Sequence, residues 1–495
     1  MEELNPKSFY DKFVVDRSPY ETRAERISNI TLPYLFNKTF SGSTNYKDKI
    51  AQSYCGRLLN TLKAKMGMSL LPPSTSSFRL EPNKDALMQL SQGDPDFMAE
   101  VYAKVSSITN QVTKEIENQQ IRDTLFDLLL QLIAVGSVVM EKVENEGIMI
   151  HTLQNFVADL DSRGEARAFC IVEKKKDLPD DITPPEEKEE YNLYTLVQYN
   201  NEDKKWYVTQ SIEDIIVGKE LKYSDDDVPF QYVGWNWSTG DKYHRPYAED
   251  YIEDMEAYNN LASLITKGSI IASKNIIFVD ERGNRTRLHD VADSENGAVV
   301  NGRADDVTAF QLGKNFDYQV PMERLNDIQK NLSSAFLMNE SVTRDAERVT
   351  AQEIRFMAQE LETSSLSGVY SKLSKKVSKR IVQWVMKELK IKFKEVSVNI
   401  ITGLDALGRS QEAQKLDALV QRMGAMGLAH YLNESELIQR YAGFEGIDVT
   451  GLIKTPAQVQ QMQQAQQEAA IAQQGNEALA QESAKAAGQH LAPQR

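Results

Sequence analysis

The chain has 495 residues, and its 57 lysines and arginines stand against 72 aspartates and glutamates, which gives a formal net charge of −15 at pH 7. This charge argues against a protein that grips nucleic acid over a broad basic face, although nucleic acid could still slide past it. No run of 18 apolar residues occurs, and the N-terminus lacks a basic region followed by an apolar one, so neither a membrane span nor a secretory signal is expected.

Helical patterns fill the first 144 residues. An apolar stripe begins at Phe9, and Ser18, Pro19 and Glu21 form a capping box with proline at the first helical position, which predicts that a new helix starts there. Pro33 is predicted to end this helix. Further helices are expected over 48–68, 95–117 and 121–144, the last of them buried.

From Gly147 the pattern becomes typical of β-strands. Strands are predicted at 148–151, 168–172, 194–199, 206–209 and 231–235. The charged residues 173–190 contain three prolines and are interpreted as a surface excursion or an exposed helix. Residues 1–246 are therefore predicted to form a mixed α+β domain, with helices first and an antiparallel sheet after them.

Residues 247–339 predict a helical hairpin. Its helices are expected over 247–273 and 317–338, with β-type runs at 275–279 and 298–300 between them. Each helix carries one narrow apolar stripe; the stripes consist of Ile252, Met255, Tyr258, Ala262 and Ile265, and of Met322, Leu325, Ile328, Leu332 and Phe336. Two such helices with a small cap do not enclose a core alone. The hairpin is therefore interpreted as the stem of a ring-forming subunit, with the β insertion at its tip.

The remaining chain begins with a long helix. Thr350 and Glu353 form a second capping box, and a kink is expected near Gly368, where serines interrupt the stripe. A strand at 395–401 is expected to return to the sheet domain, and small helices are expected over 410–443. The Gln/Ala-rich residues from Pro456 onward are predicted to be disordered, or helical only when bundled with copies of themselves.

Motifs of catalysis and cofactor binding are absent from the sequence. It contains no phosphate-binding loop, no His-x-x-x-His or Cys-x-x-Cys spacing and no Gly-x-Ser-x-Gly elbow. We therefore predict no catalytic residue, no metal site, no cofactor and no enzymatic activity. The acidic run Asp225–Asp227 could ligate a divalent cation but is interpreted as a solvated turn.

Two histidines, a tryptophan and two cysteines each allow a structural and a functional interpretation. His151 and His244 are interpreted as structural rather than catalytic. Trp235, two residues before a second tryptophan, could stack on bases but is expected to pack the sheet against the start of the hairpin. Cys55 and Cys170 are expected to be buried or incidental thiols in a reducing compartment rather than a disulfide.

Several stretches together resemble one protein family. They cover 16–24 with 32–36, 273–274, 336–339, 347–355, 360–362, 368–371 and 402–409. The most specific are ERVTAQEIR over 347–355 and TGLDALGR over 402–409. In this order and spacing they are similar to the portal proteins (head-to-tail connectors) of short-tailed phages of the Autographiviridae type, over most of residues 5–455.

The resemblance implies a dodecameric ring at one capsid vertex of the virion, assembled in the host cytoplasm, with a channel for packaging and ejecting double-stranded DNA. The implied α+β portal fold has a wing over 1–246 and 340–404, a two-helix stem over 247–273 and 317–339, a β-containing clip over 274–316 and a helical crown over 405–495. The implied partners are other copies of the chain, the major capsid protein, the terminase large subunit and afterwards a tail adaptor protein. The resemblance implies no membrane partner.

Two groups of arginines are candidates for contacts. In the segment 339–349, which matches the family's channel loop, Arg344 and Arg348 could contact DNA phosphates or instead bridge to neighbouring acidic side chains within the ring. In the clip, the candidates for contact with terminase or adaptor are Arg282, Arg285 and Arg287, and a plain solvated turn is the alternative.

Two other classes of protein remain open. One is a scaffolding or other internal virion protein without a channel, which would form rods or heterogeneous oligomers instead of closed rings. The other is a DNA-processing enzyme with an unusual site near Asp225–Asp227.

Overall fold

The computed structural model describes residues 5–36, 50–73, 78–82, 89, 95–176, 189–272, 275–279, 307–311, 319–338, 351–391, 398–402, 409–428, 432, 437–438 and 441. The chain divides into two compact units. The first comprises Met1–Ser74 and Ile116–Trp384, and the second comprises Thr75–Glu115 and Val385–Arg495. The mixed α+β class predicted from the sequence is confirmed. Among the described helices, none has both the length and the apolar content needed to cross a membrane.

The described elements follow one another in this order. The helices are α1 (Pro6–Ile30), α2 (Tyr54–Leu70), α3 (Pro95–Asn118), α4 (Ile121–Ala134), α5 (Ile252–Ala272), α6 (Gln319–Ala335), α7 (Ala351–Thr363), α8 (Ser367–Leu373), α9 (Lys379–Glu388) and α10 (Arg409–Ala425). The strands are β1 (Phe78–Pro82), β2 (Ser137–Val143), β3 (Gly147–Thr152), β4 (Phe156–Leu160), β5 (Ala166–Lys175), β6 (Tyr191–Asn200), β7 (Lys205–Ile212), β8 (Ile215–Tyr223), β9 (Phe230–Gly234), β10 (Asn275–Val279), β11 (Val307–Gln311) and β12 (Val398–Thr402).

Helix α1 continues through Pro19, so the predicted helix start at Ser18 is wrong. Asn5 caps the helix instead, accepting a hydrogen bond from the Lys7 backbone N–H. Phe9 is buried and Phe13 half-buried, and from Arg17 to Ile27 buried positions recur every three or four residues, so one face of the helix packs inward. Pro19 lies on the exposed face, where water can satisfy the carbonyl that proline leaves unbonded. The predicted end near Pro33 is confirmed, because the helix stops at Ile30.

The apolar run 121–144 is not one helix, which corrects a second prediction. Helix α4 ends at Ala134, and the chain turns at Gly136 into strand β2. Gly136 has φ +96°, and a Cβ there would lie 2.5 Å from the carbonyl oxygen of His244. Only glycine meets both demands without strain. The helix therefore ends where the backbone must pass close to another segment.

The strands of the first unit form antiparallel sheets, as predicted. A five-stranded sheet has the order β4-β5-β6-β7-β8, and a three-stranded sheet has the order β3-β2-β9. In these two sheets the five predicted strands are all present, whereas β2, β4 and β8 were missed. Helix α1 packs on the larger sheet, and Phe9 joins a buried cluster with Val157, Cys170 and Leu196.

In the second unit, β12 pairs antiparallel with β1, in register from Phe78 opposite Thr402 to Pro82 opposite Val398. The strand predicted near 395–401 is therefore present, but it does not join the larger sheets as expected. Its partner is a short strand more than 300 residues earlier, a contact that sequence periodicity cannot reveal.

The long helix after residue 350 is interrupted, as predicted. Helix α7 ends at Thr363 and α8 begins at Ser367, so the break falls on the serines before Gly368. A π-helical turn over Ser374–Ser378 then leads into α9. The buried side chains on this helix include Ile354, Leu361 and Leu373, which the predicted stripe contains.

Both cysteines are free and buried, as expected. Burial raises the pKa of the Cys55 thiol to about 12 and also raises the pKa of the Cys170 thiol. We predict that at pH 8 neither thiol of the folded protein reacts with Ellman's reagent, because both stay protonated and shielded. Both thiols should react once the chain is unfolded in guanidinium. Rapid reaction of either thiol in the folded protein would contradict this burial.

Candidate functional site: the helical hairpin and its base

Helices α5 and α6, with strands β10 and β11 between them in the chain, form the element that we call the hairpin. A 3₁₀ turn, Tyr247–Tyr251, leads into α5. The Tyr247 hydroxyl donates to the Ala335 carbonyl at 2.8 Å, so the start of the first helix meets the end of the second. The two helices are therefore antiparallel, as predicted, and β10 pairs with β11 between them in the sequence.

The end of the hairpin near Tyr247 is fully packed, and we call it the hairpin base. Its buried side chains are those of Tyr247, Ile252, Met255, Tyr258, Ile328, Leu332 and Phe336. The Phe336 ring lies 5.1 Å from that of Tyr247 and 5.4 Å from that of Tyr251. The first three positions of one predicted stripe and the last three of the other are thus core.

Trp235 carries the contact between the sheet and the hairpin base. Its side chain is buried, and its ring centroid lies 5.5 Å from that of Tyr247. The packing interpretation of this tryptophan is confirmed, and it leaves no face on which a base could stack. Burial raises the pKa of Tyr247, so its hydroxyl remains a hydrogen-bond donor to the hairpin.

Tyr54, the first residue of α2, holds both helices of the hairpin. Its hydroxyl donates to the Gln329 carbonyl at 2.8 Å and lies 2.6 Å from Ser333 Oγ, which can donate to it in return. Its ring centroid lies 5.0 Å from that of Tyr258 on α5. One tyrosine therefore fixes α5 and α6 at a single point on α2.

Arg26 of α1 adds an ionic contact to the hairpin. Its guanidinium donates to both carboxylate oxygens of Glu256, at 2.6 and 2.7 Å, and to Glu253 at 2.9 Å. The hydrogen bonds from Arg26 lower the pKa of Glu256. Since the Arg26 side chain is 44% exposed, this contact orients the hairpin more than it stabilises it.

Within the described part of the chain, large apolar side chains are exposed along the distal half of the hairpin, which we define as 261–272 with 319–327. Leu264 is 62% exposed, Ile270 53%, Val320 64% and Met322 44%. Of these four residues only Met322 belongs to a predicted stripe, so the exposed apolar surface is wider than the stripes. Exposed apolar side chains clustered on one element are typical of an interaction surface.

The five arginines proposed from the sequence lie outside the described residues. Arg344 and Arg348 belong to 339–350, and Arg282, Arg285 and Arg287 belong to 280–306. The expected strand at 298–300 and the Gln-rich tail also lie outside the described part of the chain.

The acidic run Asp225–Asp227 is engaged by neighbouring groups. Asp225 accepts from Trp206 Nε1 at 3.0 Å, Asp226 accepts from Gln383 at 3.0 Å, and Asp227 accepts from the Ser224 hydroxyl at 2.6 Å. The three carboxylates thus have separate partners and do not converge on one point. This arrangement favours the structural turn over a nuclease centre.

His244 is a buried link between the sheet and α8. Its Nδ1 lies 3.1 Å from the Tyr232 hydroxyl, and its Nε2 lies 3.2 Å from Lys372 Nζ. Burial and the Lys372 charge lower the pKa of His244 to about 3, and burial lowers the pKa of Lys372 to about 8. A neutral imidazole can accept a hydrogen bond from the Lys372 ammonium at Nε2 and donate one to the Tyr232 hydroxyl from Nδ1. Both ring nitrogens are therefore engaged in structural hydrogen bonds.

Comparison with known proteins agrees with the resemblance found in the sequence. The family profile described as "Bacteriophage head to tail connecting protein" matches residues 5–453. The portal proteins of Enterobacteria phage T3 and Escherichia phage T7 are each 32% identical to this chain, over 92% of it and 89% of theirs. The portal protein of Pseudomonas phage phiKMV is 26% identical, over 93% of this chain and 94% of its own.

Among solved structures, one similar chain comes from the neck of an empty GTA particle computed with C6 symmetry. It is 13% identical, with a TM-score of 0.38, and the match covers 78% of this chain and 89% of that one. A chain from the neck of the native particle, computed with C12 symmetry, gives a TM-score of 0.34 over 75% and 97% of the two chains. The assignment rests on the sequence matches, which span nearly the whole chain: this protein belongs to the bacteriophage head-to-tail connecting protein family.

Proposed function

We propose that this chain is the portal protein of a short-tailed phage, and that twelve copies close into a ring at one capsid vertex around a channel for double-stranded DNA. Membership of the connector family supports the role. The observation that carries the ring is the distal half of the hairpin, where large apolar side chains, among them Leu264, Val320 and Met322, are exposed in the described part of the chain.

The positions of these side chains favour a ring over a two-fold dimer. Leu264 and Ile270 are six residues apart on α5, so they project in directions that differ by about 120° around the helix axis. Val320 and Met322 on α6 are two residues apart and diverge even more. One neighbour covers one side of a hairpin, whereas two neighbours are needed to cover both. Contacts between two different sides of identical chains generate a closed ring when the rotation closes.

The proposed division of the subunit is the one that the resemblance to portal proteins implies. Residues 247–273 and 317–339 form the stem, and 274–316, which include β10 and β11, form the clip at its tip. Residues 1–246 with 340–404 form the wing, and 405–495 form the crown. The hairpin base is then the joint between stem and wing, and Tyr54, Arg26 and Trp235 hold that joint. The wing faces the major capsid protein in this arrangement.

DNA must pass through the channel without being held. Each lysine or arginine that contacts a phosphate adds salt-dependent affinity, and identical copies multiply that affinity. The net charge of −15 on each chain supports a channel that repels the phosphate backbone over most of its wall. We place a few basic residues, in 339–349, at the narrowest point of the channel. They would contact DNA phosphates there without binding a long stretch of the duplex.

Replacing Arg344 by glutamate is expected to reduce the DNA packaged into or retained in the capsid, while the rings remain intact. The expected cause is loss of a phosphate contact and its replacement by repulsion. Quantifying DNA per capsid, with ring integrity checked by electron microscopy, tests this effect. Arg348→Glu is the companion variant. Normal DNA retention in both variants would reject the assignment and favour ion pairs within the loop.

Charge reversal at Arg282, Arg285 and Arg287 together is expected to weaken binding of the terminase large subunit and of the tail adaptor. Three like charges on one short segment fit a docking surface whose partner is acidic. Binding of the triple variant to each purified partner, compared with wild type at two salt concentrations, measures the effect. Undisturbed binding would indicate an ordinary solvated turn.

Electron micrographs of the purified full-length chain separate the proposal from its alternatives. A portal gives uniform closed rings with a central lumen. A scaffolding protein gives rods or heterogeneous oligomers. Incubation with DNA and magnesium tests the enzyme alternative, for which the separate partners of Asp225–Asp227 offer no support.

A further inference from the structure

Three potential metal ligands converge where the two sheets of the first unit meet. Glu141 lies on β2, His151 on β3 and Glu173 on β5, so two ligands come from the three-stranded sheet and one from the five-stranded sheet. One ligand atom from each residue lies within 4.8 Å of the other two, and no other such group occurs among the residues that the structure describes.

The hydrogen bond to Glu141 sets the state of the imidazole. His151 Nε2 lies 2.7 Å from Glu141 Oε2, a distance typical of a strong hydrogen bond in which Nε2–H donates to the carboxylate. In the neutral ring this tautomer leaves the lone pair on Nδ1. A histidine that ligates a metal through one nitrogen commonly donates its other N–H to a carboxylate in the same way.

On the side of the imidazole opposite Glu141, the gap between His151 and Glu173 has room for an ion. His151 Nδ1 lies 3.8 Å from Glu173 Oε1, which is too long for a direct hydrogen bond. Zinc binds imidazole nitrogen and carboxylate oxygen at about 2.0–2.2 Å, so an ion seated beside the line between these two atoms reaches both with little movement. A lone pair and a carboxylate oxygen that face each other across such a gap attract a cation.

Charge and exposure around the cluster also fit a cation. His151 is buried, while the side chains of Glu141 and Glu173 are 25% and 26% exposed, so ion and water can enter from one side. Lys175 Nζ lies 3.4 Å from Glu173 Oε2 and opposes cation binding. It contacts the other carboxylate oxygen, however, and its side chain is 50% exposed, so it can move into solvent.

We propose that His151 Nδ1 and Glu173 bind a zinc ion that cross-links the two sheets, with water molecules completing its coordination. Glu141 is the positioning residue that holds the imidazole in the required tautomer. Imidazole with carboxylate suits zinc better than magnesium or calcium, which prefer oxygen ligands alone. The site does not depend on ring assembly or on the connector role.

The test is calorimetric titration of the chelator-treated full-length protein with zinc chloride. Wild type is expected to bind one zinc ion per chain at this site, and zinc should raise its melting temperature. Glu173→Gln keeps the shape of a partly exposed side chain but should weaken binding at least about tenfold. Glu141→Gln should weaken it by about 10- to 100-fold, as expected for loss of a positioning carboxylate.

Glu190→Gln is the matched control. Glu190 is an exposed acid paired with Lys174 at 3.1 Å, and the cluster does not include it. This variant should bind zinc as wild type does. Circular dichroism confirms that each variant is folded. Absence of zinc binding by wild type, or unchanged affinity in folded Glu173→Gln, would overturn the proposal.

Discussion

Aspartate in place of both Leu264 and Ile270 is expected to abolish ring formation while the individual subunit stays folded. Both side chains are more than half exposed in the single chain, so the exchange alters a surface and should change the free energy of unfolding by no more than about 0.5 kcal/mol. Light scattering after size exclusion measures the assembly. Circular dichroism and thermal unfolding report the fold.

The large effect on assembly follows from desolvation. In the ring, each aspartate would lie against apolar side chains of a neighbouring copy. An unpaired charge buried in this way costs about 3–5 kcal/mol, and every 1.4 kcal/mol weakens an interface tenfold. Two substitutions at every interface of the ring should therefore leave only monomers at micromolar concentrations.

The control is Asn260→Asp, which adds one aspartate per chain, one turn before Leu264 and outside the distal half. Asn260 is already polar and exposed, and positions four apart lie on the same side of a helix. This variant should still assemble. If the Leu264→Asp/Ile270→Asp protein forms rings like those of wild type, the distal half of the hairpin does not hold copies together.

Phe336→Ala is expected to lower the free energy of unfolding by about 3–5 kcal/mol, the usual cost of removing a large buried aromatic side chain. Phe336 is 0% exposed and packs between Tyr247 and Tyr251 at the hairpin base. Its loss leaves a cavity where the end of α6 meets the start of the hairpin. Because Trp235 lies on Tyr247, tryptophan fluorescence during urea unfolding should report the change.

The unfolding free energy of Phe336→Ala should be measured in a protein that also carries Leu264→Asp and Ile270→Asp. Unfolding is then not coupled to assembly. Phe356→Ala is the matched control, since Phe356 is 64% exposed on α7 and should cost less than about 0.5 kcal/mol. Equal changes in the free energy of unfolding for Phe336→Ala and Phe356→Ala would show that the hairpin base is not tightly packed.

The hairpin could be predicted because its signals are local. A helical stripe depends on residues three and four apart, and the predicted helices agree with α5 and α6 to within a few residues. Strand β10 was predicted at its observed bounds, 275–279. The narrow stripes also predicted that the hairpin needs neighbouring copies, and this stays a prediction about ring assembly.

Other elements depend on tertiary contacts and could not be predicted in this way. Pro19 is typical of a helix start, but buried residues of α1 lie on the same face before and after it, so one helix continues through the proline. Gly136 looks like a small residue inside a buried helix, yet the close approach of His244 makes it the end of one. In both cases packing outweighs the local propensity.

Contacts between residues far apart in the sequence could not be predicted from local patterns at all. Strand β12 pairs with β1 across more than 300 residues. Glu141, His151 and Glu173 have no spacing of a known metal motif and meet only because two sheets bring three strands together. The candidate arginines in 339–350 and 280–306 lie outside the described residues, and their roles stay predictions.

Native mass spectrometry of the purified full-length chain is the direct test of ring formation, because it counts the copies in each assembly. We predict one dominant species at twelve times the subunit mass of 56.0 kDa, which disappears in the Leu264→Asp/Ile270→Asp variant. A stable 56.0 kDa monomer of the wild-type chain at high concentration would contradict the account.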